Sequence, residues 1–259
     1  MSEPRTFRLT VAYDGTAFHG WQKQPGIRTV QGELEAALSR VLAGVVTTAG
    51  AGRTDTGVHA RGQVATFAHP TTLPDRALPP LLNRELADDM RVMGATECPP
   101  TFHARHTAIA RRYEYRVLTQ PDLLRDRAAW VPEYCPPLPA LQAAVTPLRG
   151  RQDYSAFQSV SRSPAEPVLE LHHAAWRKAE GGYAFDVVAH HFLYHMVRNL
   201  VGTSFAAAKQ LDPGAHMRAV IGSRDRRRAG QTVPPKGLSL EQVYYEGECI
   251  TWPSSGEAS

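Results

Sequence analysis

Lysine is scarce in this chain: 4 of 259 residues (Lys23, Lys178, Lys209 and Lys236), beside 25 arginines. Cysteine is scarcer still, with Cys98, Cys135 and Cys249 far apart, odd in number and without CxxC spacing. That pattern argues against a disulfide framework and a structural zinc site, and it suits a reducing cytoplasm. No run of about 18 apolar residues exists, which excludes a membrane-spanning helix. The segment Met1-Ser2-Glu3-Pro4-Arg5 has no basic-then-apolar pattern, so secretion is not expected. A Gly-Lys-Ser/Thr sequence is also missing, and with it a P-loop.

What is present is an ordinary globular composition, 42% hydrophobic and 21% charged, with a formal net charge of only +4. Arginine's planar fork grips phosphate bidentately and stacks on bases, as lysine cannot. The bias therefore fits a nucleic-acid partner, and it fits a GC-rich genome equally well.

Thr6–Tyr13 alternates Phe7, Leu9, Val11 and Tyr13 with polar or small residues, the pattern of a half-buried strand. Residues 14–26 read as a long loop. A helix is predicted from Thr29 as N-cap to Gly44 as stop, with Val30, Leu34, Ala37, Leu38, Val41 and Leu42 on one stripe. Strands at 45–49 and 63–67 flank a Gly-rich loop, and a short helix at 78–86 precedes strands at 91–96 and 109–118. The proline-rich stretch 121–139 reads as a connector between halves. Beyond it come a helix at 138–148, strands at 168–176 and 183–189, a long helix at 193–211, a shorter one at 215–221 and a last strand at 240–245. The order fits two α+β halves. We expect domains at 1–107 and 108–250 and a frayed tail at 251–259.

The densest chemistry lies in Ala49-Gly50-Ala51-Gly52-Arg53-Thr54-Asp55-Thr56-Gly57-Val58-His59-Ala60. Three glycines let the backbone turn sharply and approach a ligand, and an Arg, an Asp and a His sit among them. Gly50-Ala51-Gly52 supplies the first two glycines of a dinucleotide fingerprint, but Asp55 occupies the third position and would repel phosphate. The plain alternative is a glycine-rich hairpin whose Asp caps its own turn.

Ala51-Gly52-Arg53-Thr54-Asp55-Thr56-Gly57-Val58-His59 resembles the AGRTDxGVH motif of the TruA-type tRNA pseudouridine synthases. Further matches follow in family order. Tyr13-Asp14-Gly15 with Gly20-Trp21-Gln22 resembles YDG…GWQ, and Val30-Gln31 resembles its VQ. Phe102-His103-Ala104-Arg105 with Arg111-Arg112-Tyr113-Glu114-Tyr115 resembles FHAR…RRYxY, and His195 to Gly202 resembles HMVRNxVG. Gly237-Leu238 extends the match more loosely. Thr56 stands where the family commonly has Ala, and Tyr194 where it often has His.

The resemblance implies two similar α/β-sandwich halves with antiparallel sheets and an active-site cleft between them. It implies isomerisation of uridine at positions 38–40 of the tRNA anticodon stem-loop: the N1–C1′ bond breaks and a C5–C1′ bond forms. No redox change or hydrolysis is involved, so no cofactor and no metal are expected, and the enzyme is expected to be a homodimer. Asp55 would be the nucleophile, attacking C6 or C1′, with Arg198 as its ion-pair partner, since a buried carboxylate needs one. Tyr113 would stack on the target uracil and help move the C5 proton; it and Tyr115 also share a strand face by spacing alone. Arg53 would fill the gap left by the flipped base. His59, Arg105, Arg111 and Arg112 complete the expected RNA-binding set.

Two basic patches agree with an RNA ligand. Residues 101–120 carry Arg105, Arg111, Arg112 and Arg116 against Glu114, and residues 224–228 carry four arginines against Asp225. Each taken alone is an ordinary solvated face. His191 and His195 could share a helix face, but HExxH is absent, so a metal role is set below a structural or RNA-facing one. The competing function is a non-catalytic tRNA-binding or chaperone module on the same fold; binding alone does not need Asp55.

Overall fold

The computed structural model describes residues 3–160 and 165–253. Among them the chain runs β1 (Arg5–Tyr13), α1 (Val30–Leu42), β2 (Ala49–Gly50), β3 (His59–His69), α2 (Leu78–Glu85), β4 (Met90–Cys98) and β5 (Ala108–Leu118). It continues α3 (Leu138–Val145), β6 (Gly150–Asp153), β7 (Val168–Ala179), β8 (Gly182–Ala189), α4 (Met196–Ala207), α5 (Pro213–Ser223) and β9 (Leu238–Tyr245). Strands pair mostly antiparallel, an α+β fold, and the chain divides into two compact units.

The first unit holds the residues up to Ile109 together with Ser239–Glu248. β1 lies antiparallel between β3 and β4, in register Leu9↔Ala65 and Leu9↔Ala95. Its inward set Phe7, Leu9 and Val11 is fully buried, as the alternation predicts. α1 starts where expected: Thr29 accepts a hydrogen bond from the Gly32 N–H. It stops one residue earlier than Gly44, at Ala43 in the left-handed region (φ 53°). β3 begins at His59, four residues before the predicted start, because its first residues pair with β9.

That pairing places residues 239–248 with the first unit. Residues 239–248 were expected in the second domain, yet β9 runs parallel to β3 at His59↔Ser239 and Ala60↔Leu240. The approach is close: a Cβ on Gly62 would stand 2.3 Å from the Glu241 carbonyl oxygen. Arg8 Nη1 meets Glu248 Oε1 at 2.8 Å, and the Tyr245 hydroxyl donates to the Ala104 carbonyl at 2.8 Å. Alternation marks a strand but carries no record of its partner.

The second unit holds Ala110–Leu238 and the residues from Cys249 on. β8 lies antiparallel between β5 and β7, and β6 extends β7. α3 packs on β7 and against α4 and α5. Trp176 centres the apolar core, with Phe185 and Phe205 at ring separations of 5.3 and 5.9 Å. Asp186, on the other face of β8 from Phe185, belongs to a buried charged layer. There Arg177 Nε donates to Asp186 Oδ2 at 2.7 Å and its Nη2 pairs with Glu114, which also holds Arg116, while Arg112 lies 3.3 Å from Asp186.

Two further expectations change, and a third lies mostly outside the described residues. The stretch 121–139 is not a connector between the units: Trp130 exchanges backbone hydrogen bonds with Arg116 and Leu118 of β5, inside the second unit. α4 begins at Met196 rather than 193, because His195 adopts a left-handed conformation (φ 61°) that interrupts the helix, so His191 and His195 do not share a helical face. Of the tail expected to fray, Trp252 stacks on His173 at 4.8 Å, and residues 254–259 lie outside the described residues.

Candidate active site

Asp55 lies in the loop between β2 and β3, and that loop is held from several sides. The Asp55 carbonyl accepts from the Val58 N–H at 3.1 Å, closing a turn whose third residue, Gly57, has φ 78°. The Thr54 carbonyl accepts from the Trp21 N–H at 3.0 Å, and the Phe18 carbonyl from the Gly57 N–H at 3.3 Å. Tyr13 of β1 and Thr54 of the loop bring their hydroxyls to 2.8 Å, and Gln63 Nε2, from β3, donates to the Gly52 carbonyl at 2.9 Å. The outcome is a graded exposure: Arg53 exposed, Thr54 buried, Asp55 half-buried.

This geometry explains the segment 13–22. A Cβ on Gly15 would lie 2.0 Å from the Val58 carbonyl oxygen, and one on Gly20 would lie 2.7 Å from that of Thr54. Trp21 covers β2, where a Cβ on Gly50 would strike its ring at 2.4 Å. Gln31 then ties the start of α1 to the same region. Its Oε1 accepts from Gln22 Nε2 and the Lys23 N–H, and its Nε2 donates to Glu35 Oε1 and the Thr48 carbonyl. The buried Gln63 was not among the residues singled out from sequence. Its signal is one amide directly before the short apolar run Val64-Ala65.

His59 is buried, and its Nδ1 accepts from the Gly15 N–H at 3.1 Å. Arg105 is exposed beside His103 and His106, whose rings are 4.3 Å apart. Burial, then the neighbouring positive groups, lowers the His103 pKa.

In the second unit Tyr113 is buried, with Phe192 meeting its ring edge-on at 5.1 Å. Tyr115 is fully buried and donates to the Pro234 carbonyl at 2.8 Å; burial raises its pKa against the opposing charge of Arg198. Arg198, half-buried in the first turn of α4, donates from Nε to the Val233 carbonyl at 2.8 Å. Arg111 is 7% exposed and donates to the His190 carbonyl, and Arg112 belongs to the charged layer.

The patch at 224–228 is partly internal. Arg226 spans the carbonyls of Ala229 and Gly230, Asn199 Oδ1 and Thr232 Oγ1, and burial lowers its pKa. Arg224 pairs with Asp153 at 3.0 Å and Arg227 with Asp225 at 2.8 Å. Among the described residues no group of three or more His, Cys, Asp or Glu side chains is placed to hold a metal ion, and no helix is long and apolar enough to cross a membrane.

Comparison with known proteins agrees with the resemblance. A family model described as tRNA pseudouridine synthase matches residues 9–106 and 144–246. The chain is 40% identical over 247 residues to tRNA pseudouridine synthase A of Geobacillus kaustophilus, covering 94% of this chain and 95% of that protein. It is also 40% identical over 243 residues to the Myxococcus xanthus protein of the same name, covering 92% and 91%.

Proposed function

Because the chain belongs to the tRNA pseudouridine synthase family, an isomerase family, we propose that it converts uridine to pseudouridine at positions 38–40 of the tRNA anticodon stem-loop, with Asp55 as nucleophile. The observation that carries this reading is the loop itself: Asp55 stays half-exposed while the backbone on both sides is bound to neighbouring segments. A carboxylate held so can form a transient bond to the substrate and split one hard step into two. Its flanks need not reorganise during reaction, which is the condition for effective positioning.

Across the reaction the uracil N1–C1′ bond breaks and C5–C1′ forms; C5 gives up a proton and N1 gains one. Nothing is oxidised or hydrolysed. Arg53, exposed two residues before Asp55, is suited to enter the space left by a flipped base. The roles that the resemblance implies for Tyr113 and Arg198 belong to this proposal, as do phosphate contacts by Arg105. Arg111 and Arg112 enter it more weakly, because both are engaged inside their own unit. A homodimer acting in the cytoplasm is part of the same reading.

The test is to incubate the protein with unmodified tRNA transcripts and map pseudouridine along each. Formation confined to positions 38–40 supports the proposal. Formation elsewhere retains the reaction but overturns the target, and no formation overturns both.

A further inference from the structure

His59 directs its ring inward, toward the turn Gly15–Ala17. The Gly15 N–H donates to Nδ1 at 3.1 Å. Asp14 Oδ1 lies 3.3 Å from the same nitrogen, but that oxygen already accepts from the Thr16 N–H at 3.0 Å and the Thr16 hydroxyl at 2.6 Å. A donated bond from Gly15 requires a lone pair on Nδ1, which puts the ring proton on Nε2. The turn bound in this way also presses on the loop: Gly15 has no room for a Cβ against the Val58 carbonyl, and Phe18 accepts from Gly57. Gly57 and Val58 close the turn that starts at Asp55.

From this we propose that His59 is a positioning residue for Asp55: through Nδ1 it fixes the Gly15–Ala17 turn, which sets the Asp55–Val58 turn. The proposal rests on the isomerase reading above and differs from the expected RNA contact for His59. It explains why a histidine at the start of a strand is only 7% exposed.

Three variants separate the roles. His59→Asn keeps an acceptor at the δ position, His59→Gln moves the polar group out towards Nε2, and His59→Leu keeps the branched outline of Asn with no acceptor. For each, the single-turnover rate of pseudouridine formation at saturating tRNA and the Kd for the same tRNA are measured per folded molecule, with folding established by thermal melting. Leu and Gln are expected to slow the step about 100-fold, the effect of misplacing a reacting group by about 1 Å, with Kd unchanged; Asn recovers most of the rate. A raised Kd with an intact rate, or rescue by Gln instead of Asn, makes the ring an RNA contact and overturns the proposal. An unchanged rate per folded Leu variant makes the residue merely structural and overturns the proposal as well. If Leu and Gln do not fold, Asn decides: folded and active supports the proposal, folded and slow overturns it. Wild type that forms no pseudouridine in any tRNA refutes the isomerase reading itself, before any variant is considered.

Discussion

The phenol oxygen of Tyr13, the last residue of β1, lies 2.8 Å from Thr54 Oγ1, one residue before Asp55. Burial pushes the Tyr13 hydroxyl up to about 12, so it stays neutral in ordinary buffers. Tyr13→Phe deletes this bond and leaves the buried Thr54 hydroxyl short of a partner, at a cost of about 1–3 kcal/mol. Urea denaturation reads that loss, and turnover per folded molecule is expected to fall with it. Unchanged stability would show that the bond does not hold the loop.

Gly20 carries two constraints together, φ +82° and the Thr54 carbonyl 2.7 Å from where a Cβ would sit. Gly26 has φ +69° with nothing within 4 Å. Gly26→Ala should therefore cost only the backbone strain, about 1–2 kcal/mol. Gly20→Ala adds a displacement of the loop and should lose far more pseudouridine formation at equal folded concentration. Equal activity in the two variants would separate segment 14–21 from the site.

Asp186 is 1% exposed and faces Arg177 and Arg112. Asp186→Asn keeps the shape and leaves buried positive charge uncompensated, a loss on the order of 3–5 kcal/mol. Chemical denaturation checks it; a change below about 1 kcal/mol, the scale of an exposed pair, would mean that the layer is effectively solvated.

Legibility in the sequence follows range along the chain. The Asp55 loop, the Thr29 cap and the alternation of β1 are local patterns, and each lies where the residue pattern puts it. The return of β9 to β3 joins His59 to Ser239, far apart in the sequence, and no local pattern reports it. Charge counting likewise gives number without direction. Arg226 and Arg111 count among the cations of the two basic patches, yet both donate to carbonyls of their own unit. Gly15 and Gly20 are legible in the sequence as loop markers and, with Trp21, as letters of a family motif; their purpose, close approach to residues 50–58, is visible only in the folded chain.

His173 gives a pH prediction with a definite sign. Burial, then Arg149 and Arg112, pulls its imidazole down to about 4, whereas the unfolded chain titrates near 6.5. Between those values the unfolded state binds a proton that the folded state refuses. Stability therefore falls as pH drops from about 6.5 to about 4 and levels below it. His173→Phe keeps a ring against Trp252 and removes this contribution, so its Tm should fall less across the window than that of wild type. Parallel Tm curves would refute the assignment.

The central claim is that Asp55 performs the chemistry. Conversion of uridine to pseudouridine expels the hydrogen at C5, so tRNA tritiated at uracil C5 reports the reaction as released tritium. With equal folded enzyme and tRNA binding checked, wild type should release tritium and Asp55→Ala and Asp55→Asn should release none above background. Release by either variant at the wild-type rate would contradict the account.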